Sequence, residues 1–324
     1  MLIRFLLPAS EAIRNGNAVT SGRWRSFLEG LGHEVFIDRQ TALDPCDLLV
    51  VFNAYRNRAA IVDARRKRTA GAIVVCLTGT DLYVDMKRDP ASMSVLDLAD
   101  RIAALQPMAL GELPPALRCK TQVIFQSALR PSYGPTYSPD YFDACVIAHL
   151  RDVKDPLRAA YAARLLPPES RVRVTHVGRP LTEDYVSALR KEERENPRFR
   201  RLGELSAQDT AEVLLNSRVL VLSSIQEGGA NVVSEAVVCG VPPLVTRIPC
   251  TIGLLGTAYP GFFHVGDTEG LAGLLRRAET DPGFYDDLRE RIRAEASKFS
   301  PSLEKEGLKE LVSCATAGAR MHSL

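Results

Sequence analysis

Two carboxylates eight positions apart, Glu227 and Glu235, bracket the segment Glu227-Gly228-Gly229-Ala230-Asn231-Val232-Val233-Ser234-Glu235-Ala236. The aliphatic run Val219 to Leu222 ahead of it reads as a strand, and the pattern behind it reads as a helix from near Asn231 to Cys239. Gly228 and Gly229 let the backbone turn tightly between the two. Free N–H groups at such a helix start, here from Gly228, Gly229, Ala230, Asn231 and Val232, together with the helix dipole make a seat for an anionic diphosphate or for sugar hydroxyls. One carboxylate before the helix and one about a turn inside it can accept hydrogen bonds from the paired hydroxyls of a ribose or hexose. The competing reading is a plain glycine loop and a solvated helix glutamate.

In the first half of the chain two segments carry polar groups after apolar runs. Thr78-Gly79-Thr80-Asp81 follows the run Ile73 to Leu77. Gly79 permits a sharp turn, and Thr80 or Asp81 either caps the next helix or faces a substrate. In Arg14-Asn15-Gly16-Asn17-Ala18-Val19-Thr20-Ser21-Gly22-Arg23-Trp24, Gly16 and Asn17 could open a phosphate-cradling turn, with Thr20 close by and Arg23 on the helix that follows. The alternative is a surface loop with a core Trp24 and a solvated Arg23. Gln126 and Ser127 end the last strand of this half.

These residues need a frame. Short aliphatic runs separated by helical patterns point to parallel α/β sheets. The first half offers Leu2 to Leu7, Glu34 to Ile37, Leu48 to Phe52, Ile73 to Leu77, Ile102 to Leu105 and Gln122 to Phe125. The second half offers Ala144 to Ala148, Val172 to Val177, Phe199 to Leu202, Val219 to Leu222, Pro243 to Val245 and Phe262 to Val265. Two Rossmann-like domains follow, at 1–139 and 140–300, joined through the proline-rich Arg130 to Pro139, with 301–324 as a helix packing back on the first. Ligands of such sheets bind beyond the carboxyl ends of the strands.

The 324 residues suffice for about two domains. A net charge of +2 is too near neutral for a chain devoted to nucleic acid or to an anionic membrane. Arg65-Arg66-Lys67-Arg68 lies in a helical pattern without interleaved aromatics and reads as a solvated face, as does the mixed-charge stretch Arg190 to Arg201. The apolar run Ala72 to Leu77 is six residues long, where a membrane helix needs about 20. The N-terminus reads as a strand rather than a signal peptide. Seven scattered cysteines without a Cys-x-x-Cys pair predict reduced thiols and a cytoplasmic setting. His33, His176, His264 and His322 have no metal spacing and Asp-x-Asp is absent, so no metal and no cofactor are expected.

The Glu227 to Glu235 segment resembles the Glu-x7-Glu region of retaining family 4 glycosyltransferases with the GT-B fold, and Gly240-Val241-Pro242-Pro243-Leu244-Val245 fits their next strand. The resemblance implies a GT-B fold: two facing Rossmann-like domains, acceptor in the first and sugar nucleotide in the second. It implies that Glu235 binds ribose and Glu227 the sugar. In Ala148-His149-Leu150-Arg151-Asp152-Val153-Lys154-Asp155-Pro156, Lys154 falls on the family lysine that neutralises the donor diphosphate. His149 stands where the family arginine is expected, and Arg151 lies two residues on. Fixed cations there lower the barrier to departure of a nucleoside diphosphate. Gly203-Glu204-Leu205 stands where relatives hold the base, and Thr78 to Asp81 stand where many carry a histidine.

A narrower resemblance, to the selenosugar synthases of selenoneine biosynthesis, covers almost the whole chain. It is carried by Leu77-Thr78-Gly79-Thr80-Asp81-Leu82-Tyr83, Leu105-Gln106-Pro107, His149-Leu150-Arg151 with Lys154-Asp155-Pro156, Glu227 to Ala236, and Ile248 to Gly256. It implies UDP-GlcNAc as donor and selenophosphate as acceptor, with Lys154, Arg151, Glu227, Asp81 and Thr80 at the reacting centre. His149, Gly203, Leu205 and the 228–235 segment then serve the donor, and Gly16, Asn17, Thr20, Arg23, Thr78, Gly79 and Gln126 the acceptor. Selenophosphate is anionic and its selenium a soft nucleophile, so a missing basic histidine is tolerable. Two other readings remain open: a glycosyltransferase with an ordinary sugar or lipid acceptor, and a non-catalytic sugar-nucleotide sensor. Oligomeric state is not legible.

Overall fold

The computed structural model describes residues 1–8, 16–40 and 43–321. They pack as two compact units. The first comprises Met1–Ser127, Glu227–Ala230 and Ser300–Leu324, and the second Ala128–Gln226 and Asn231–Phe299. The proline-rich stretch 130–139 falls in the second.

In the first unit the aliphatic runs become β1 (Leu2–Leu6), β2 (Glu34–Asp38), β3 (Cys46–Phe52), β4 (Ala70–Cys76), β5 (Arg101–Ala104) and β6 (Thr121–Val123). They form one parallel sheet in the order β2-β1-β3-β4-β5-β6. The apolar runs Leu48–Phe52 of β3 and Ala72–Cys76 of β4 reflect a sheet covered on both faces. Leu49 and Val51 point with Ile73 and Val75 into one core, while Leu48, Val50 and Phe52 point with Ala72 and Val74 into the other. α1 (Gly16–Glu29) covers this second face through Trp24 and Leu28. α2 (Arg58–Lys67) covers the first through Ile61 and Ala64. The short α3 (Met86–Arg88) and α4 (Pro115–Arg118) lie in the connections.

The second unit repeats the plan with β7 (Phe142–Ile147), β8 (Val172–Val177), β9 (Phe199–Gly203), β10 (Val219–Leu222), β11 (Pro243–Thr246) and β12 (Phe262–Phe263). These pair in parallel in the order β12-β11-β10-β7-β8-β9. The connecting helices are α5 (Arg158–Arg164), α6 (Glu183–Glu195), α7 (Ala207–Leu215), α8 (Asn231–Cys239), α9 (Pro249–Leu255), α10 (Thr268–Thr280) and α11 (Pro282–Glu295).

α12 (Pro301–Met321) belongs to the first unit. Leu308, Leu311, Val312 and Ala315 recur at helical spacing and are all buried in the core that Trp24 shares. Each large aliphatic side chain so buried contributes about 1.5 to 3 kcal/mol. Among the described residues no helix is long and apolar enough to cross a membrane.

Candidate functional site

Strand order in the second sheet reverses between β7 and β10: successive strands are added outward from β7 to β9 on one side and from β10 to β12 on the other. A crevice beyond the strand ends at such a reversal is where open α/β sheets take ligands. The loops leaving β7 and β10 meet there. Ile225 N–H donates to the Val153 carbonyl at 2.9 Å, and the Ser223 hydroxyl donates to the Asp155 carbonyl at 2.7 Å. Thr246 anchors the β10 loop from behind by donating to the Ser224 carbonyl at 2.6 Å. Lys154 thus sits on a tight turn fastened alongside the β10 loop, with Asp155 in a left-handed conformation and held by Arg158 at 2.7 Å.

His149 and Arg151 share the β7 loop with Lys154. The Arg179 N–H donates to His149 Nδ1 at 3.3 Å, and Leu150 is stitched to the β8 loop through Arg179 and Leu181. The two loops approach so closely that a Cβ on Gly178 would collide with the Ala148 carbonyl. Gly178 and Arg179 were not among the sequence candidates, although a glycine directly after a strand is their signal. Gly203 ends β9 and Leu205 follows it, just before Ser206 caps α7 by accepting from Asp209 N–H at 3.1 Å.

α8 starts at Asn231, directly after the glycine segment, and buries Val233, Ala236 and Val237. That orientation leaves Asn231, Val232 and Glu235 partly exposed, with Glu235 about one turn inside the helix. Glu227, Gly228 and Ala230 are also partly exposed, and Gly229 is buried. On β8, His176 is fully buried, and neither ring nitrogen has a hydrogen-bond partner among the described residues. Burial, with lesser contributions from Arg201 and His149, pushes its pKa down to about 4.

In the first unit Thr78, Gly79, Thr80 and Asp81 follow β4. The Asp81 carboxylate is fully buried and accepts from Ala54 N–H at 3.0 Å, Thr78 N–H at 2.8 Å, the Thr78 hydroxyl at 3.0 Å and Leu82 N–H at 2.9 Å. These bonds clamp the turn that carries Gly79. Burial nonetheless pushes the Asp81 pKa up to about 7 against those hydrogen bonds. Buried Asn53, at φ +64°, donates to the hydroxyls of Thr78 at 3.0 Å and Thr80 at 3.1 Å.

Gly16 and Asn17 are the first described residues of α1 rather than a turn, and the Thr20 hydroxyl donates to the Gly16 carbonyl at 2.8 Å. Arg14 and Asn15, like His322, lie outside the described residues. Arg23 is committed to the buried Glu304 on α12. Gln126 is buried after β6 with its amide nitrogen on the Thr20 hydroxyl. Among the described residues no group of three or more His, Cys, Asp or Glu could hold a metal ion.

Residues 137–299 match the family model described as glycosyl transferases group 1. No curated protein matches the chain. Solved structures match nearly all of it. The sucrose-phosphate synthase (tll1590) from Thermosynechococcus elongatus is 14% identical with a TM-score of 0.77, covering 98% of this chain and 99% of that one. Alr3699/HepE from Anabaena, in complex with UDP and glucose, is 18% identical with a TM-score of 0.75, covering 97% and 99%. At such identity the likeness is one of fold, and the fold of this chain is the two-domain, Rossmann-like GT-B fold.

Proposed function

Since the chain belongs to the glycosyl transferases group 1, we propose that it transfers a sugar from a uridine diphosphate sugar, and that the second unit holds that donor at the reversal point of its sheet. The observation that carries this reading is the pairing of a cation-bearing turn with a helix start. Lys154 lies on a loop hydrogen-bonded to the one that leads into α8, and Glu227 and Glu235 flank that helix start. The helix N-terminus and Lys154 are suited to a diphosphate, whose charge grows as it leaves the sugar. Glu235 serves the ribose hydroxyls and Glu227 those of the transferred sugar. Arg151 adds a second cation, while His149, held at Nδ1 by the Arg179 N–H, stands in place of the family arginine. Gly203 and Leu205 border the base. The complex of the similar Anabaena protein with UDP and glucose supports uracil as that base.

The finer reading is that the donor is UDP-GlcNAc and the acceptor selenophosphate, in a cytoplasmic enzyme that needs no metal. It rests on the selenosugar synthase resemblance and on the Thr78 to Asp81 turn, which has no histidine to activate an alcohol. Selenium would attack the anomeric carbon while the bond to the diphosphate oxygen breaks and its electron pair leaves on UDP. Hydrolysis of the phosphorus–selenium bond would then release phosphate and 1-seleno-N-acetylglucosamine. Arg23 is engaged by Glu304, which leaves Gly16, Asn17, Thr20, Thr78, Gly79 and Gln126 as the acceptor-side candidates.

The test is mass spectrometry of products from a panel of UDP-sugars offered selenophosphate, thiophosphate, simple sugars and a lipid alcohol, with and without EDTA. Release of UDP with a selenosugar product in chelator supports the full reading. Turnover only with a carbohydrate or lipid acceptor leaves the donor assignment and removes the selenium. Absence of UDP binding and of turnover removes both.

A further inference from the structure

Glu227 lies on a four-residue segment, Glu227–Ala230, that packs within the first unit. Its seat there is backbone against backbone. A Cβ on Gly79 would lie 2.6 Å from the Gly228 nitrogen and 2.7 Å from the Glu227 carbonyl carbon, and a Cβ on Gly228 would lie 2.6 Å from the Gly79 nitrogen. Real side chains never come so close to backbone, so both positions demand glycine for the approach itself. One residue on, a Cβ on Gly229 would lie 2.7 Å from the Leu105 Cβ and would collide with the Gln126 amide oxygen.

Both supports are fixed from behind. Asp81 holds Thr78 and Leu82 by their N–H groups, which immobilises the turn that carries Gly79. The Thr20 hydroxyl has one hydrogen, and it goes to the Gly16 carbonyl at 2.8 Å. Thr20 can therefore only accept from Gln126, so the Gln126 amide nitrogen faces Thr20 and the oxygen faces Gly229. That oxygen is buried and has no hydrogen-bond partner among the described residues. Buried acceptors are rarely left unbonded, and an apolar side chain of similar shape would fill the same space without that cost. Next to it Ala230 is held at φ +45°, where alanine is strained. Turning the Gly229–Ala230 peptide over would bring Ala230 to an extended conformation and reverse its N–H, a movement that glycine at 229 permits.

We infer that Gly79 and Gln126 are positioning residues of the transfer reaction. They seat the Glu227–Ala230 backbone, and the Gln126 oxygen is the acceptor to which the Ala230 N–H turns when a sugar donor loads Glu227. The inference rests on the donor-site reading of Glu227 given above.

The experiment compares Gln126→Met, Gln126→Asn and Gly79→Ala with the wild type. Gln126→Met fills the space but cannot accept a strong hydrogen bond. It should melt at or above the wild-type temperature, bind UDP within about twofold of wild type, and lose about 10²-fold in turnover of UDP-sugar, the scale of a misplaced catalytic geometry. Gln126→Asn should regain part of that loss. Gly79→Ala should lower turnover by a similar factor and speed up amide hydrogen exchange across residues 223–236 measured without any substrate, whereas Gln126→Met should leave that exchange unchanged, because the Gln126 oxygen is unbonded until the donor loads. Wild-type turnover in Gln126→Met, or loss of turnover that merely tracks a fall in melting temperature, would overturn the assignment, as would unchanged exchange in Gly79→Ala. If the wild type turns over no UDP-sugar, the donor reading fails, and the exchange measurement still decides the seat.

Discussion

Arg23 and Glu304, 281 positions apart, form a two-pronged ion pair in which Arg23 Nε donates to one carboxylate oxygen at 2.6 Å and a terminal nitrogen to the other at 3.0 Å. Glu304 also accepts from the Trp24 indole at 2.8 Å, from Ser127 N–H at 2.8 Å and from the Ser127 hydroxyl. One buried carboxylate thus ties α1, the chain after β6 and α12 together.

Arg23→Ala should therefore cost stability rather than anion binding. Removing the cation leaves a buried carboxylate supported only by neutral donors, and breaking such a pair costs about 3 kcal/mol. Urea unfolding measures this. A variant as stable as wild type would return Arg23 to the candidate acceptor residues.

Asp81 gives the first unit a pH dependence of identifiable sign. Its folded pKa of about 7 lies above the ordinary value of 3.8, so the folded state holds more protons than the unfolded one between those limits. The associated stability is full below about pH 4 and is lost as pH rises through 7. Asp81→Asn should flatten that slope while lowering stability throughout, because an amide cannot accept from donors on both sides as the carboxylate does. Denaturation midpoints of wild type and variant from pH 4 to 8 give the difference curve.

His176 works in the opposite sense over nearly the same range. Its folded pKa of about 4 lies below the ordinary 6.5, so its contribution is full above pH 6.5 and is lost as pH falls toward 4. His176→Met removes both unpartnered nitrogens. The expected outcome is a more stable second unit, with the gain growing below pH 6.5. Equal stability of the two proteins at pH 5 would contradict it.

Glu235→Ala should weaken UDP binding by about 1.5 to 3 kcal/mol, the worth of a hydrogen bond to a charged group. Calorimetric titration of UDP into folded wild type and variant checks this, and equal affinity would make Glu235 a surface residue of α8.

Lys154→Ala should lower kcat more than it changes KM, because its charge matters most when the diphosphate departs. A loss on the order of 10²-fold is expected for one such contact. Steady-state rates near those of wild type would release Lys154 to solvent.

What the sequence makes legible here is local. The central strands of the first sheet carry uninterrupted apolar runs such as Leu48 to Phe52, because a sheet covered on both faces needs no polar alternation. The strand, glycine turn and helix around Asn231 are readable for the same reason: the signal lies within about twenty residues. The roles of Arg23 and Asp81 are not readable that way. Arg23 finds its partner on the far side of the second unit in sequence, and Asp81 finds Ala54 across a strand and a helix. Gly228 looks like a loop-maker until Gly79 is seen against it, since a close approach leaves no mark in either segment alone. His149 stands where an arginine is expected, and its contact with the Arg179 N–H, thirty residues on, leaves no mark in the sequence around it.

The return of α12 to the first unit carries a consequence for synthesis. When Ser127 emerges from the ribosome all six strands of the first sheet and α1 have been made, yet the part of the sheet face which Leu308, Leu311, Val312 and Ala315 cover is still open. The second unit is continuous enough to fold while that face waits, and domains do fold in order of emergence. The half translated first is thus the half finished last, and the aliphatic patch left open is what a chaperone would meet during the interval.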